Sequence, residues 1–264
     1  MLLRELDYAR PDSVDDAVKL LAAQEDARAL AGGQSLVNVM KTRVASPELV
    51  VDLNRIEALR GIREDGGALT IGAMTTYAAI VGSPEVAAAR PILAEVARTI
   101  ADVQVRNRGT IGGNVCSNDP TNHLPPLMVA VGARMTIAGA SGEREVSAEE
   151  FFLGVYLTAV GPGELLTRIS IPAGKQDGFA AVTLGADGTC IANAAATVNG
   201  TVRVALGCVD AVPVLVTADS ADGVADAVRA ANLMPPSDVH ASSEYRRHLA
   251  GVLATRAAQE ASAR

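Results

Sequence analysis

The chain has 264 residues, of which 49% are hydrophobic and 20% charged, and it carries a formal net charge of −7. That composition belongs to a folded globular protein and not to a disordered one. With no run of Lys or Arg, nothing in it creates the field that a nucleic acid or an anionic membrane requires. In chain order, Pro11-Asp12-Ser13 followed by Val14, Val18 and Leu21 predicts a helix with Ser13 as its N-cap and Asp16 in the capping-box position. Arg28 to Leu30 reads as a strand entering the turn Ala31-Gly32-Gly33-Gln34-Ser35, Leu36 to Arg43 as a short helix, and Glu48 to Asp52 as a returning strand. Leu59 to Arg63 and Ala68 to Ile71 flank Asp65-Gly66-Gly67 as a hairpin, and helical periods follow over Thr75 to Val81 and Pro91 to Ile100.

A second glycine turn, Gly109-Thr110-Ile111-Gly112-Gly113-Asn114, precedes an apolar stretch from Leu127 to Val131 that Gly132 ends. Strands are expected over Arg134 to Ala138 and Glu164 to Ile171, with a turn at Ala140-Ser141-Gly142 between them, and Pro172 marks a domain boundary. Beyond it, Phe179 to Leu184, Cys190 to Val198 and Val202 to Leu206 predict three strands, followed by two helices. The last helix starts near Ser242 and is expected to set Tyr245, Leu249 and Val252 on one face. The three cysteines, Cys116, Cys190 and Cys208, lie far apart and cannot alone build a cluster or zinc site. Charge appears too early at Arg4 and Glu5 for a signal peptide, and no apolar run approaches the ~20 residues of a membrane helix, so the cytoplasm is the expected location.

The two glycine pairs carry the chemistry. A diphosphate is approached by backbone amides, and a Cβ on that face blocks it, so paired glycines with polar neighbours are what such a loop needs. Either pair alone reads as a tight turn. Neither matches G-x-G-x-x-G or the phosphate loop ending in Gly-Lys-Ser/Thr, which argues against a nicotinamide site of the doubly wound type.

Ala31-Gly32-Gly33-Gln34-Ser35-Leu36 and Arg106-Asn107-Arg108-Gly109-Thr110-Ile111-Gly112-Gly113-Asn114 resemble the two FAD signatures of the medium subunits of carbon monoxide dehydrogenase and its relatives in the xanthine dehydrogenase family. Val51-Asp52-Leu53-Asn54, Ile71-Gly72-Ala73-Met74-Thr75-Thr76, Asp119-Pro120, Leu165-Leu166-Thr167-Arg168-Ile169 and Tyr245-Arg246-Arg247 fall in the same order and spacing. The resemblance implies an α+β fold: a two-lobed FAD-binding domain of the PCMH/vanillyl-alcohol-oxidase-like type over 1–171, with lobes of about 1–55 and 56–171. A small α+β C-terminal domain over 172–264 would follow. It also implies that the two glycine turns hold the FAD pyrophosphate between them, that Thr110 and Asn114 bind the cofactor, and that Leu165 or Leu166 lies against the flavin.

The chain departs from the pattern at two places. His123 stands nine residues beyond Asn114, where relatives often carry an acidic residue. Imidazole both donates and accepts whereas a carboxylate only accepts, so the ribityl contacts are expected to differ; Asp119 is a further candidate contact. Gly178 to Leu184 lacks the Lys or Arg that many relatives place near the flavin.

By the same resemblance the chain is a flavin electron relay without a catalytic side chain or metal of its own. Its partners would be a small iron–sulphur subunit with [2Fe-2S] clusters and a large molybdopterin subunit, assembled as a dimer of heterotrimers. The rival readings are a self-contained FAD-dependent oxidase or reductase and an assembly subunit that has lost its flavin. With no Trp, three His and four Tyr, the sequence offers few groups for the substrate chemistry of a self-contained enzyme.

Overall fold

A computed structural model describes residues 3–185 and 188–264. The first lobe runs β1 (Asp7–Ala9), α1 (Val14–Ala23), β2 (Arg28–Leu30), α2 (Leu36–Lys41) and β3 (Leu49–Asp52), and its strands form a parallel sheet in the order β1-β3-β2. Ser13 caps α1 as its sequence predicts: its hydroxyl accepts from the Asp16 amide at 3.1 Å and donates to the Asp16 carboxylate at 2.8 Å. The apolar face of α1, Ala17, Val18 and Leu21, is thereby set against Leu49, Val51 and Leu53.

The second lobe begins with the hairpin β4 (Ile62–Asp65) and β5 (Ala68–Gly72), whose turn residues Gly66 and Gly67 both have positive φ, as a two-residue hairpin turn requires. Then come α3 (Tyr77–Gly82), α4 (Pro84–Ala89), α5 (Ile92–Thr99), α6 (Val103–Arg108), α7 (Ile111–Ser117) and α8 (Leu124–Ala130). They are followed by β6 (Arg134–Gly139), β7 (Gly142–Ser147), α9 (Ala148–Phe151), β8 (Phe152–Gly154), β9 (Leu157–Thr158) and β10 (Leu165–Pro172). The five-stranded antiparallel sheet has the order β4-β5-β10-β6-β7, which puts β10 in the middle. The remainder is β11 (Asp177–Leu184), β12 (Thr189–Asn199), β13 (Thr201–Gly207), β14 (Val214–Ala218), α10 (Val224–Ala230) and α11 (Ser243–Ala263), with the four strands forming an antiparallel meander.

Several elements differ from the sequence expectation. Gly112 and Gly113 are not in a free turn: they sit in the first turn of α7. Two glycines cost a helix about 1 kcal/mol each, so periodicity does not reveal this one, and tertiary hydrogen bonds hold it instead. The C-terminal sheet has a fourth strand, β14, which begins just after Pro213 at the sheet edge, where a missing N–H is tolerated. In α11 the expected face of Tyr245, Leu249 and Val252 keeps only Leu249 in the core, because Tyr245 is exposed and Val252 is half-buried. The buried stripe is Leu249, Ala250, Leu253, Ala254, Ala257, Ala258 and Ala261, packed on the alanine-rich face of β12. Small side chains on both surfaces let helix and sheet approach so closely that a Cβ on Gly178 would stand 2.9 Å from the Ala261 nitrogen.

Two placements matter for the site. The other face of the C-terminal meander rests on α8. A buried ion pair ties the same meander to the second lobe, with Arg90 donating to the Asp177 carboxylate at 2.5 Å and to Thr197 at 2.7 Å. Among the described residues no helix is long and apolar enough to cross a membrane.

Candidate functional site

The first glycine pair leaves the C-terminal end of β2. Gly33 has φ +75°, a left-handed conformation that an L side chain adopts only at a cost. The N–H groups of Gly32, Gly33, Gln34 and Ser35 engage no acceptor among the described residues, while the Gly32 carbonyl is occupied by Gln34 Nε2 at 2.9 Å. Successive unpaired amides around a left-handed glycine form a concavity that attracts an anion. The loop is braced from behind: Asn54 Nδ2 donates to the Ala31 carbonyl at 3.0 Å, and Asp52 Oδ1 accepts from Asn54 N at 2.9 Å and from its side chain at 2.6 Å. Burial works against the Asp52 charge, yet the Tyr8 hydroxyl, Asn54 and Arg10 hold its carboxyl below the usual carboxylate range. The Val51-Asp52-Leu53-Asn54 motif is therefore a support for the first loop.

The second pair is built differently. Ile111 N donates to Thr75 O at 3.0 Å, Gly112 N to Ala73 O at 2.9 Å, Gly113 N to Thr110 Oγ1 at 3.0 Å and Asn114 N to Thr110 O at 3.0 Å. Every amide from Ile111 to Asn114 is spent inside the protein. The segment Ala73-Met74-Thr75-Thr76 is the strand-like support that consumes two of them, and an isolated bridge joins Thr76 to Thr110.

The two loops touch each other. A Cβ on Gly32 would meet the Arg108 carbonyl group and stand 2.9 Å from Gly109 Cα, and one on Gly113 would stand 3.6 Å from Ala31 Cβ. One on Gly112 would stand 2.6 Å from the Ala73 carbonyl oxygen. This corrects the sequence reading of why glycine is needed: at Gly32 and Gly112 a side chain collides with the protein's own backbone, and only Gly33 and Gly113 leave the question to a ligand. At Gly113 the added carbon would also press on the Thr110 hydroxyl, at 2.9 Å.

Asn114 is 8% exposed, its side chain lies beside the Tyr77 phenol, and its Oδ1 has no partner among the described residues. A buried acceptor of this kind is costly unless something donates to it. Tyr77, buried beside Gly109 and Asn114, has its phenol pushed up to about 12 by burial, with the Asn114 side chain opposing. The four unpaired amides and the orphaned Asn114 oxygen are what a ligand with an anionic centre and a donor group can satisfy, so the residues present fit an adenine–flavin diphosphate.

The other expected contacts are dispersed. Asp119 uses Oδ1 on the Thr121 amide and hydroxyl (2.9 and 2.8 Å) and Oδ2 on the Tyr156 hydroxyl (3.1 Å), shaping its own loop. His123 is buried, with Nδ1 3.2 Å from Asn193 Nδ2 and its ring edge-on to Phe179 at 5.3 Å. Phe179 belongs to the strand in which a basic residue is missing. Leu165 and Leu166 are adjacent on β10 and point to opposite faces, Leu165 into the core beneath the first lobe and Leu166 into the main core around α7 and α8. Leu36 and Ile111 open α2 and α7, and Ile111 is fully buried. Sequence reading missed Tyr77, Asp52 and Asn54 as parts of this site, although the last two lie in a motif it had noted.

Residues 4–174 match the family model described as the FAD binding domain in molybdopterin dehydrogenase. The chain is 42% identical to the carbon monoxide dehydrogenase medium chain of Afipia carboxidovorans, over 100% of itself and 99% of that protein. It is 34% identical to the nicotine 6-hydroxylase medium subunit of Paenarthrobacter nicotinovorans, over 100% of both. Among solved structures, carbon monoxide dehydrogenase from Hydrogenophaga pseudoflava lacking the Mo-pyranopterin moiety of its molybdenum cofactor superposes with a TM-score of 0.92 at 38% identity, over 100% of this chain and 99% of that one. Quinoline 2-oxidoreductase from Pseudomonas putida 86 gives 0.91 at 33% identity, over 100% of this chain and 99% of that one.

Proposed function

Since the chain belongs to the FAD-binding medium subunits of the molybdenum hydroxylases, we propose that it is the electron-transfer subunit of such an enzyme. In this reading it receives electrons from the iron–sulphur clusters of a small partner subunit, which draw them from a large molybdopterin subunit, and passes them to an external acceptor. The assembly is a dimer of these heterotrimers, and the chain divides into an FAD-binding domain over 1–171 and a C-terminal domain over 172–264. The observation that carries the reading is the row of unpaired amides from Gly32 to Ser35, facing a second loop whose own amides are consumed.

In this site the amides of Gly32, Gly33, Gln34 and Ser35 bind the diphosphate, Asn114 Oδ1 accepts from the cofactor, and Thr110 Oγ1, already accepting from Gly113 N, is free to donate its proton. Ala31, Leu36, Ile111, Gly112 and Gly113 shape the cradle, Asp119 and His123 bound it on the side of the C-terminal sheet, and Leu165 or Leu166, on opposite faces of β10, lies against the flavin. Bound FAD supplies the capacity to exchange electrons singly or in pairs. No side chain of this chain acts as acid or base on the organic substrate.

The test is anaerobic. The purified, FAD-loaded chain mixed with an organic substrate of the assembled enzyme keeps its visible absorption, a chemical reductant bleaches it, and addition of both partner subunits restores bleaching by substrate. Bleaching by substrate without partners overturns the relay and favours a self-contained flavoenzyme. A colourless chain that takes up no FAD overturns the site.

A further inference from the structure

The segment from Asp119 to His123 is held from behind by β12 and β13, and two thiols are among the groups that hold it. Cys190 on β12 and Cys208, one residue beyond β13, are buried at 1% and 4% exposure, and both sulphurs lie around one amide, Asn193 Nδ2, at 3.3 and 3.8 Å. Cys208 Sγ also lies 3.0 Å from the Pro120 carbonyl oxygen. Asn193 Nδ2 lies 3.3 Å from Cys190 Sγ, 3.2 Å from His123 Nδ1 and 3.3 Å from the Asn122 carbonyl oxygen, so one amide joins the thiol pair to the loop. Cys208 has φ +64°, a strained conformation for a residue with a side chain. A cleft of about 10 Å³, lined by Asp119, Pro120, Cys208 and neighbours, has room for one water-sized molecule. The neighbouring Cys208, with His123 and Asn193 and against the effect of burial, draws the Cys190 thiol below the ordinary thiol range, which favours its thiolate.

We propose that Cys190 and Cys208 are an oxidisable pair, which hydrogen peroxide converts to a disulfide that loosens the Pro120 to His123 segment and speeds the release of FAD. The second half rests on the assignment of FAD to the neighbouring site; the first does not. The Cys190 thiolate attacks one peroxide oxygen, the O–O bond breaks, hydroxide leaves and takes up a proton to become water, and Cys190 becomes a sulphenic acid. The Cys208 thiol then attacks that sulphur, gives up its proton and expels a second water as the S–S bond forms. Two thiols are oxidised and one peroxide is reduced, two electrons in all. Cys208 thereby loses the proton it directs at Pro120, and Asn193 loses the thiolate that anchors it. Cys116 serves as an internal control, since burial pushes its thiol up to about 12 and keeps it protonated.

The experiment treats the full FAD-loaded chain with hydrogen peroxide, alkylates the remaining thiols under denaturing conditions, and maps the peptides by mass. The expected result is a Cys190–Cys208 cross-link with Cys116 alkylated, together with roughly fivefold faster loss of FAD on dilution, the scale of one lost hydrogen bond. Dithiothreitol reverses both. Cys208→Ser is expected to leave a dimedone-reactive sulphenic acid on Cys190, no cross-link and no faster release of FAD; Cys190→Ser is read in parallel in case one variant fails to fold. Absence of the cross-link in the unmutated chain overturns the pair. A cross-link with unchanged release overturns its coupling to the loop, and a chain that forms the cross-link but never binds FAD removes the functional reading while leaving the pair standing.

Discussion

The two glycine pairs look alike in sequence and are used in opposite ways. Around Gly32 and Gly33 four consecutive amides have no acceptor among the described residues, and the loop is kept open by Asn54 from behind. Around Gly112 and Gly113 the amides are all taken by Thr75, Ala73 and Thr110, so this pair is a rigid wall against which the first loop rests. Glycine at a binding loop therefore has two distinct causes: a backbone that must present its N–H groups, and a backbone that must let another backbone come close. Only the first predicts that a substitution acts through the ligand.

The largest effects are expected where backbones meet. Gly32→Ala and Gly112→Ala each put a carbon against a carbonyl group of the protein, so relief requires the two loops to separate. Each is expected to cost about 3 kcal/mol or more, the upper end for overpacking. Thermal melting of the FAD-free chain reads this directly. Unchanged melting of the apo variants would show that the loops do not rest on one another.

The wall can also be loosened by pH. Tyr77 is buried against it with a phenol near 12, above the ordinary 10. Because the folded state holds this proton more tightly than the unfolded one, its contribution is complete below about pH 10 and is lost as pH rises towards 12. The scale is about 2–3 kcal/mol for a shift of that size. Tyr77→Phe is expected to flatten the fall in melting temperature between pH 10 and 12; an equally steep fall in the variant would assign the alkaline loss elsewhere. For the open loop, Gly33→Ala is expected to cost about 1–2 kcal/mol because of its left-handed backbone, read as weakened FAD retention with the melting of α7 and its sheet little changed. If FAD retention survives intact, the cradle does not depend on that conformation.

Much of the local structure was legible because its causes are local. The Ser13 cap, the Gly66-Gly67 hairpin and the stop at Gly132 each follow from a few neighbouring residues, and the site motifs stand out as rare glycine and polar pairings. What stayed hidden depends on partners distant in sequence. The helix α7 begins with a glycine pair and exists because Ala73 and Thr75 receive its amides, a pairing that no periodicity shows. His123 reads as a loop residue, and only the β12–β13 pairing puts Asn193, Cys190 and Cys208 around it. The buried stripe of α11 is mostly alanine, which a search for large apolar residues passes over in favour of Tyr245 and Val252.

The smallest effect separates ligand from scaffold most cleanly. Asn114 brings to the wall a buried acceptor, since its Oδ1 has no donor among the described residues while its main chain is fully engaged in α7. Asn114→Ala removes that acceptor and the side chain's contact with the Tyr77 phenol together. In the apo chain the loss of the contact with Tyr77 is offset by the removal of a buried unsatisfied group, and alanine is the better helix former, so melting is expected to change by less than about 1 kcal/mol. In the FAD-loaded chain the acceptor is in use, and its removal is expected to weaken retention by about 1 kcal/mol, roughly a fivefold rise in the dissociation constant. Titrating FAD into apo protein by flavin fluorescence measures the second quantity, and melting of the same samples measures the first. If the variant binds FAD as well as the parent, Oδ1 is an unpaired atom of the scaffold, and the second glycine pair contributes only the surface on which the first is held.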